Sequence, residues 1–217
     1  MLIEQLVVGP LDTNCYLVAD DNNSDLPTAV IYPGAEPARI EQKIRKLNLK
    51  PVFVLNTHGH FDHTLGVEHL SQAFGAKYLI HKADAGLEDE EEELMELLRD
   101  FAGALPPKPD SYLSDSDELG LGKLKIKVIH TPGHTPGGVC FLIEDALFTG
   151  DTLFAGGVGR TDLPGGSTET LLSSINRCIL ILDNNVRVLP GHGPESTIAI
   201  EKATNPWLVG SGGYSEP

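Results

Sequence analysis

Cationic side chains are scarce: 16 Lys and Arg stand against 31 Asp and Glu in 217 residues, for a formal net charge of −15. Such a surface repels a phosphodiester backbone, and no Lys/Arg-rich stretch offers a compensating stripe, so nucleic acid is not an expected partner. Cysteine is nearly absent. Cys15, Cys140 and Cys178 are far apart, odd in number and form no C-x-x-C pair. That spacing argues against a disulfide framework and against a thiolate zinc site, and they read as small buried hydrophobes. No apolar run approaches the roughly 18 residues of a membrane span, so no membrane partner is expected either. Met1 to Pro10 lacks a basic n-region and a small-residue cleavage site, and the expected location is therefore cytoplasmic.

What is there is the mixture of an ordinary globular protein, 41% hydrophobic and 22% charged. At this length one α/β domain spanning residues 1–217 is expected. Leu2 to Val8 and Asn14 to Ala19 are short apolar runs divided by Gly9-Pro10 and Asp12, which reads as a meander, with Ala29 to Tyr32 a third strand. Pro37 to Leu47 spaces Ile40, Ile44 and Leu47 as a helix does, with Pro37 suited to the first turn. Val52 to Leu55 is a continuous apolar run, as in a strand buried on both faces.

A helix over Gly66 to Phe74 and a strand over Lys77 to Ile80 follow. Asp84 to Phe101 reads as an amphipathic helix with an acidic start that complements its dipole, before an extended Leu105 to Pro109 loop. A second group of strands spans Lys123 to His130, Val139 to Ile143 and Ala146 to Phe148. It is followed by a helix over Thr168 to Leu182, a short strand over Arg187 to Leu189 and a closing helix over Ile198 to Ala203. Strands first and helices afterward, twice over, fit two sheets packed face to face with helices outside.

The chemistry concentrates at strand ends. After Val52 to Leu55 comes His58-Gly59-His60-Phe61-Asp62-His63. His58 and His60, two apart in an extended segment, project to one side and can share a metal; Asp62 and His63 turn into the next helix and can reach another. A lone histidine at a strand end is more often a hydrogen-bonded structural residue. A cluster this dense is costly to desolvate unless a cation receives its lone pairs. His134 in a Pro/Gly-rich loop, Asp151 in Thr149-Gly150-Asp151 and His192 in Pro190-Gly191-His192-Gly193 repeat the arrangement of strand, then ligand loop. Together they would gather at one edge of the sheets.

In that order and across almost the whole chain, the H-x-H-x-D-H motif, the single downstream His134, Asp151 and the final His192 resemble the metallo-β-lactamase superfamily. The resemblance implies an αββα sandwich with a dinuclear site. His58, His60 and His134 would hold one metal and Asp62, His63 and His192 the other, with Asp151 bridging two divalent ions, zinc foremost and iron or manganese as alternatives. The runs Thr149 to Phe154, Gly159-Arg160-Thr161-Asp162, Gly191 to Pro194 and Thr204-Asn205-Pro206 look like the glyoxalase II group, in a short form lacking its C-terminal helical domain. That similarity implies a thiol-derived small-molecule substrate cleaved at a thioester carbonyl by a metal-activated water, with Asp62 orienting the water as well as binding metal. Arg160 matches the residue that holds a substrate carboxylate; the competing reading is an internal ion pair with Asp162.

Gly159 to Asp162 also resembles a run in the persulfide dioxygenases of the superfamily, which implies the alternative chemistry, with one iron on His58, His134 and Asp151. Tyr32-Pro33-Gly34 departs from the family, which usually has Asp before the Pro-Gly. A contact to the metal ligands is therefore expected to be missing or replaced. His69, His81 and His130 match no ligand position.

Overall fold

The computed structural model describes residues 1–87 and 106–209. The first sheet contains β1 (Leu2–Val8), β2 (Thr13–Ala19), β3 (Pro27–Ile31), β4 (Lys50–Leu55), β5 (Lys77–His81) and β6 (Ser111–Leu113), ordered as in the chain. β1 to β3 form an antiparallel meander, and β3 to β6 pair in parallel. The second sheet contains β7 (Glu118–Leu121), β8 (Leu124–His130), β9 (Val139–Ile143), β10 (Ala146–Gly150), β13 (Arg187–Pro190) and β14 (Ser196–Thr197), in the order β14-β13-β10-β9-β8-β7. β11 (Leu153–Phe154) and β12 (Gly157–Val158) make a separate small hairpin.

Strand periodicity explains the layers. On β2, Tyr16 and Val18 face the second sheet and join Phe141, Ile143 and Phe148 in the central core. The alternate residues Cys15, Leu17 and Ala19 face outward onto Ile40 and Ile44 of helix α1 (Pro37–Lys46) and Val67 and Leu70 of helix α3 (Val67–Phe74). Both faces are covered, so all seven residues of β2 are buried. The second sheet repeats this. Cys140, Leu147 and Val188 face helix α4 (Thr168–Ser174), its π-turn continuation (Ile175–Ile179) and helix α5 (Ile198–Thr204) through Leu171, Ile175, Ile179 and Ile198. The result is the expected αββα sandwich.

Differences from the sequence reading are local. The predicted strand over Lys123 to His130 is β8, and a further strand, β7, precedes it across a turn at Gly122, φ 63. β3 runs from Pro27 to Ile31 instead of Ala29 to Tyr32, and Tyr32 leaves it at φ 54. The predicted helix over Asp84 to Phe101 falls mostly outside the described residues; Lys82–Asp84 is a single 3-10 turn. Helix α2 (Phe61–Thr64) precedes α3, and helix α6 (Pro206–Val209) follows α5. Among the described residues no helix is long and apolar enough to cross a membrane.

Candidate metal centre

β4, β8, β10 and β13 all deliver their C-terminal ends to the same edge of the sandwich, and the loops after them carry the candidate ligands. The seven side chains meet there. His58, His60 and His134 form one three-donor group and Asp62, His63 and His192 another; within each, the donor atoms lie within 4.8 Å of one another. Asp151 groups with one histidine from each set, His58 and His63. Its carboxylate lies 3.3 Å from His63 Nε2, 3.8 Å from His134 Nε2 and 3.7 Å from His192 Nε2.

Hydrogen bonds decide which ring atom faces the cluster. His134 Nδ1 lies 2.7 Å from the Arg160 carbonyl and His192 Nδ1 2.9 Å from the Leu11 carbonyl. A carbonyl only accepts, so each Nδ1 carries the proton and Nε2 turns inward. His58 Nδ1 meets the Thr57 hydroxyl at 3.2 Å, which likewise leaves Nε2 on the cluster side. The imidazole of a metal ligand is commonly oriented this way, by a partner on its other nitrogen.

The donor set fits cations. His58 Nε2 and Asp151 Oδ1 are buried without a hydrogen-bond partner. His60 Nδ1 and His134 Nε2 are 3.0 Å apart, and His63 Nε2 and His192 Nε2 3.2 Å apart. Two nitrogens on one tetrahedral zinc, each at about 2.0–2.1 Å, lie roughly 3.3 Å from one another, so these contacts have the spacing of shared ligands.

Protonation follows the same logic. Burial, reinforced by neighbouring imidazoles, pushes His58 well below the usual histidine range and His60 down to about 4. Burial opposes ionisation of Asp62 and Asp151, yet His63 and its neighbours hold both carboxyls below the usual carboxylate range. For His192 burial is outweighed by Asp62 and Asp151, which raise it to about 9.

Distant residues hold these loops. Asn14 donates from Nδ2 to the carbonyls of Pro190 (3.0 Å) and Gly193 (2.8 Å), and the Tyr16 hydroxyl donates to Pro190 (3.0 Å). These bonds tie the His192 loop to β2. Gly191 must be glycine, because a Cβ there would meet Asp151 Oδ1 at 2.5 Å and His63 Cε1 at 2.6 Å. Tyr32 replaces the contact that its departure from the family put in question. Its hydroxyl accepts from Gly150 N at 2.7 Å, beside Asp151, and its ring meets His63 edge-on at 5.4 Å.

Tyr32→Phe would strand the buried Gly150 N–H, at a cost of about 1–3 kcal/mol. A thermal melt should show Tm lower by roughly 2–12 °C. The bonds of Asn14 and Tyr16 to the His192 loop were not legible from local pattern.

The Arg160 side chain is turned to Asp162 and to solvent. Its guanidinium makes two 2.8 Å bonds to Asp162, and both side chains are more than half exposed, at 61% and 68%. This is the internal ion pair that the sequence left as the competing reading. Its carbonyl orients His134. Of the unassigned histidines, His69 pairs with Glu41 at 2.6 Å, and His81 and His130 stack at 4.7 Å.

Comparison with known proteins agrees with the geometry. A hydroxyacylglutathione hydrolase, GloC, of Haemophilus influenzae is 37% identical over 217 residues, covering 96% of this chain and 98% of that protein. Among solved structures, TTHA1623 in a di-iron-bound form superposes with a TM-score of 0.84 at 36% identity, covering 94% of this chain and all of that one. ETHE1 from Myxococcus xanthus gives 0.80 at 28% identity, over 95% of this chain and 84% of that one. The family model of the metallo-β-lactamase superfamily matches residues 8–192, a span that opens on the last residue of β1 and closes on the final candidate ligand. The order of the ligand loops, the four-layer sandwich and these matches agree, and the chain belongs to the metallo-β-lactamase superfamily.

Proposed function

We propose that this chain is a dinuclear metal-dependent hydrolase that cleaves a small-molecule thioester of the hydroxyacylglutathione type in the cytoplasm. The observation that carries the reading is the pair of complete three-donor groups with the Asp151 carboxylate between them. The likeness to GloC along nearly the whole of both chains supports the substrate class.

His58, His60 and His134 would hold one ion, Asp62, His63 and His192 the other, and Asp151 both. Two divalent ions, zinc foremost, would supply Lewis acidity and a water whose pKa falls to roughly 7. The chain's own residues do the rest. Asp62, which keeps its negative charge at neutral pH, would orient that water by accepting its hydrogen bond. The three Nδ1 anchors, Thr57, the Arg160 carbonyl and the Leu11 carbonyl, keep the imidazoles from rotating as charge develops.

Arg160 is proposed to exchange Asp162 for a substrate carboxylate. An exposed ion pair contributes about 0–1 kcal/mol, little enough to be displaced. Arg160→Ala should therefore raise KM for a carboxylate-bearing thioester by about 3- to 10-fold while kcat holds, and leave an uncharged thioester unchanged. Steady-state kinetics on the two substrates make the comparison.

Elemental analysis followed by an assay on S-D-lactoylglutathione tests the whole reading. Two ions per chain and hydrolysis are expected. Intact thioester in the presence of bound metal would remove the substrate class, and oxygen uptake with glutathione persulfide would replace hydrolysis by dioxygenation. Against the latter, a single iron on His58, His134 and Asp151 leaves the complete Asp62, His63, His192 group without a role.

A further inference from the structure

Asp84 belongs to none of the candidate ligand groups. It sits on the 3-10 turn after β5, and it is completely buried. Burial pushes its carboxyl up from the usual range. A carboxylate in such a place is costly unless its oxygens are satisfied. Here they are satisfied by two loops at once. Oδ2 accepts from the Thr135 hydroxyl at 2.6 Å and from Gly59 N at 3.3 Å, and Oδ1 accepts from Gly137 N at 2.5 Å.

The identity of those partners matters. Gly59 lies between His58 and His60, and Thr135 follows His134, so one carboxylate joins the loop carrying two histidines to the loop carrying the third. The fit leaves no slack. A Cβ on Gly137 would meet Asp84 Oδ1 at 2.5 Å, and one on Gly59 would run into the Asp84 carbonyl. Both glycines let the backbone close directly on Asp84.

We propose that Asp84 is the positioning residue of the three-histidine group, clamping the His58–His60 loop to the His134 loop so that their nitrogens converge before a cation arrives. The inference rests on the metal reading of the site. Its consequence is selectivity: the clamp serves one group and not the other.

The test measures Zn²⁺ affinity by chelator competition in two backgrounds. In His192→Ala the three-histidine group remains complete; in His134→Ala the Asp62, His63, His192 group does. Asp84→Asn, which presents an amide NH₂ to backbone donors, should weaken binding about 10- to 100-fold in the first background and leave the second unchanged. Thr135→Val, which removes one donor of the clamp, should act in the same direction with a smaller effect, and serves if Asp84→Asn does not fold. Ile126→Ala, a truncation in the central core, lowers the Tm of the metal-free protein and should leave the zinc affinity of each background unchanged.

Equal weakening in both backgrounds, or weakening matched by Ile126→Ala, would reduce Asp84 to general stability and overturn the proposal. So would unchanged affinity throughout. A wild-type chain that binds no zinc would instead overturn the metal reading itself.

Discussion

Asp151→Asn is expected to lower thioester hydrolysis by about 1,000-fold or more, some 4 kcal/mol of transition-state stabilisation. The Asp151 carboxylate is the anion in contact with donors of both groups, 3.3 Å from His63 and 3.8 Å from His134. An amide of the same shape keeps the packing and loses the charge that would face two cations. It also loses the ionised state that the surrounding imidazoles favour, since they hold the Asp151 carboxyl well below the usual range. The loss should fall on kcat and on kcat/KM together, as for an interaction made in the transition state. Asp162→Asn is the matched control, an exposed carboxylate outside the cluster. Activity within 10-fold of wild type in Asp151→Asn, with both ions bound, would mean that the reaction occurs elsewhere.

Metal binding should stabilise the fold more than any single side chain does. At a free ion concentration about 1,000 times Kd, each site contributes about 4 kcal/mol, or roughly 8–16 °C in Tm for a chain of this size. The protons released reveal which donors were charged. At pH 6, His60, at about 4, is already neutral, and Asp62 and Asp151 are already ionised. His192, raised to about 9 by Asp62 and Asp151, still holds its proton and must release it to bind. A metal-bound water with pKa near 7 keeps its own proton at this pH.

Calorimetry at pH 6 in buffers of different ionisation enthalpy should therefore find at least one proton released, that of His192, when the Asp62, His63, His192 group fills. The affinity of that group should rise by about tenfold per pH unit toward pH 9 and level above it. Because the group is positively charged only below its raised pKa, lowering pH opposes binding. A pH-independent affinity between 6 and 8 would contradict the assignment of His192 as a ligand.

The site was unevenly legible. His58, His60, Asp62 and His63 stand within one short motif, so their density alone marks chemistry. His134, Asp151 and His192 are single residues that acquire meaning from the repeated strand-end setting and from likeness to a family. Asp84, Thr135 and Asn14 carried no mark, and Tyr32 stood out as a departure from the family without showing what it would contact. Their bonds run across 118 positions from Tyr32 to Gly150, 53 from Asp84 to Gly137 and 176 from Asn14 to Pro190. The missed strands, β6, β7, β11, β12 and β14, have two to four residues each, too few to display a period of two. Arg160 shows the converse case. Its side chain drew notice, whereas the structure uses its carbonyl, a group that every residue possesses.

Alternating apolar residues and strand-end ligand loops determined from sequence alone that two sheets would stack and that five imidazoles and two carboxylates would share one edge. Periodicity and side-chain chemistry are local properties, written in neighbouring residues. Only the tertiary structure decided which nitrogen of each ring turns inward, that Arg160 pairs with Asp162, and that Asp84 and Tyr32 brace the loops. Those outcomes depend on backbone N–H and carbonyl groups meeting across the fold, and such groups are the same at nearly every position, so their partners appear only once the chain has closed.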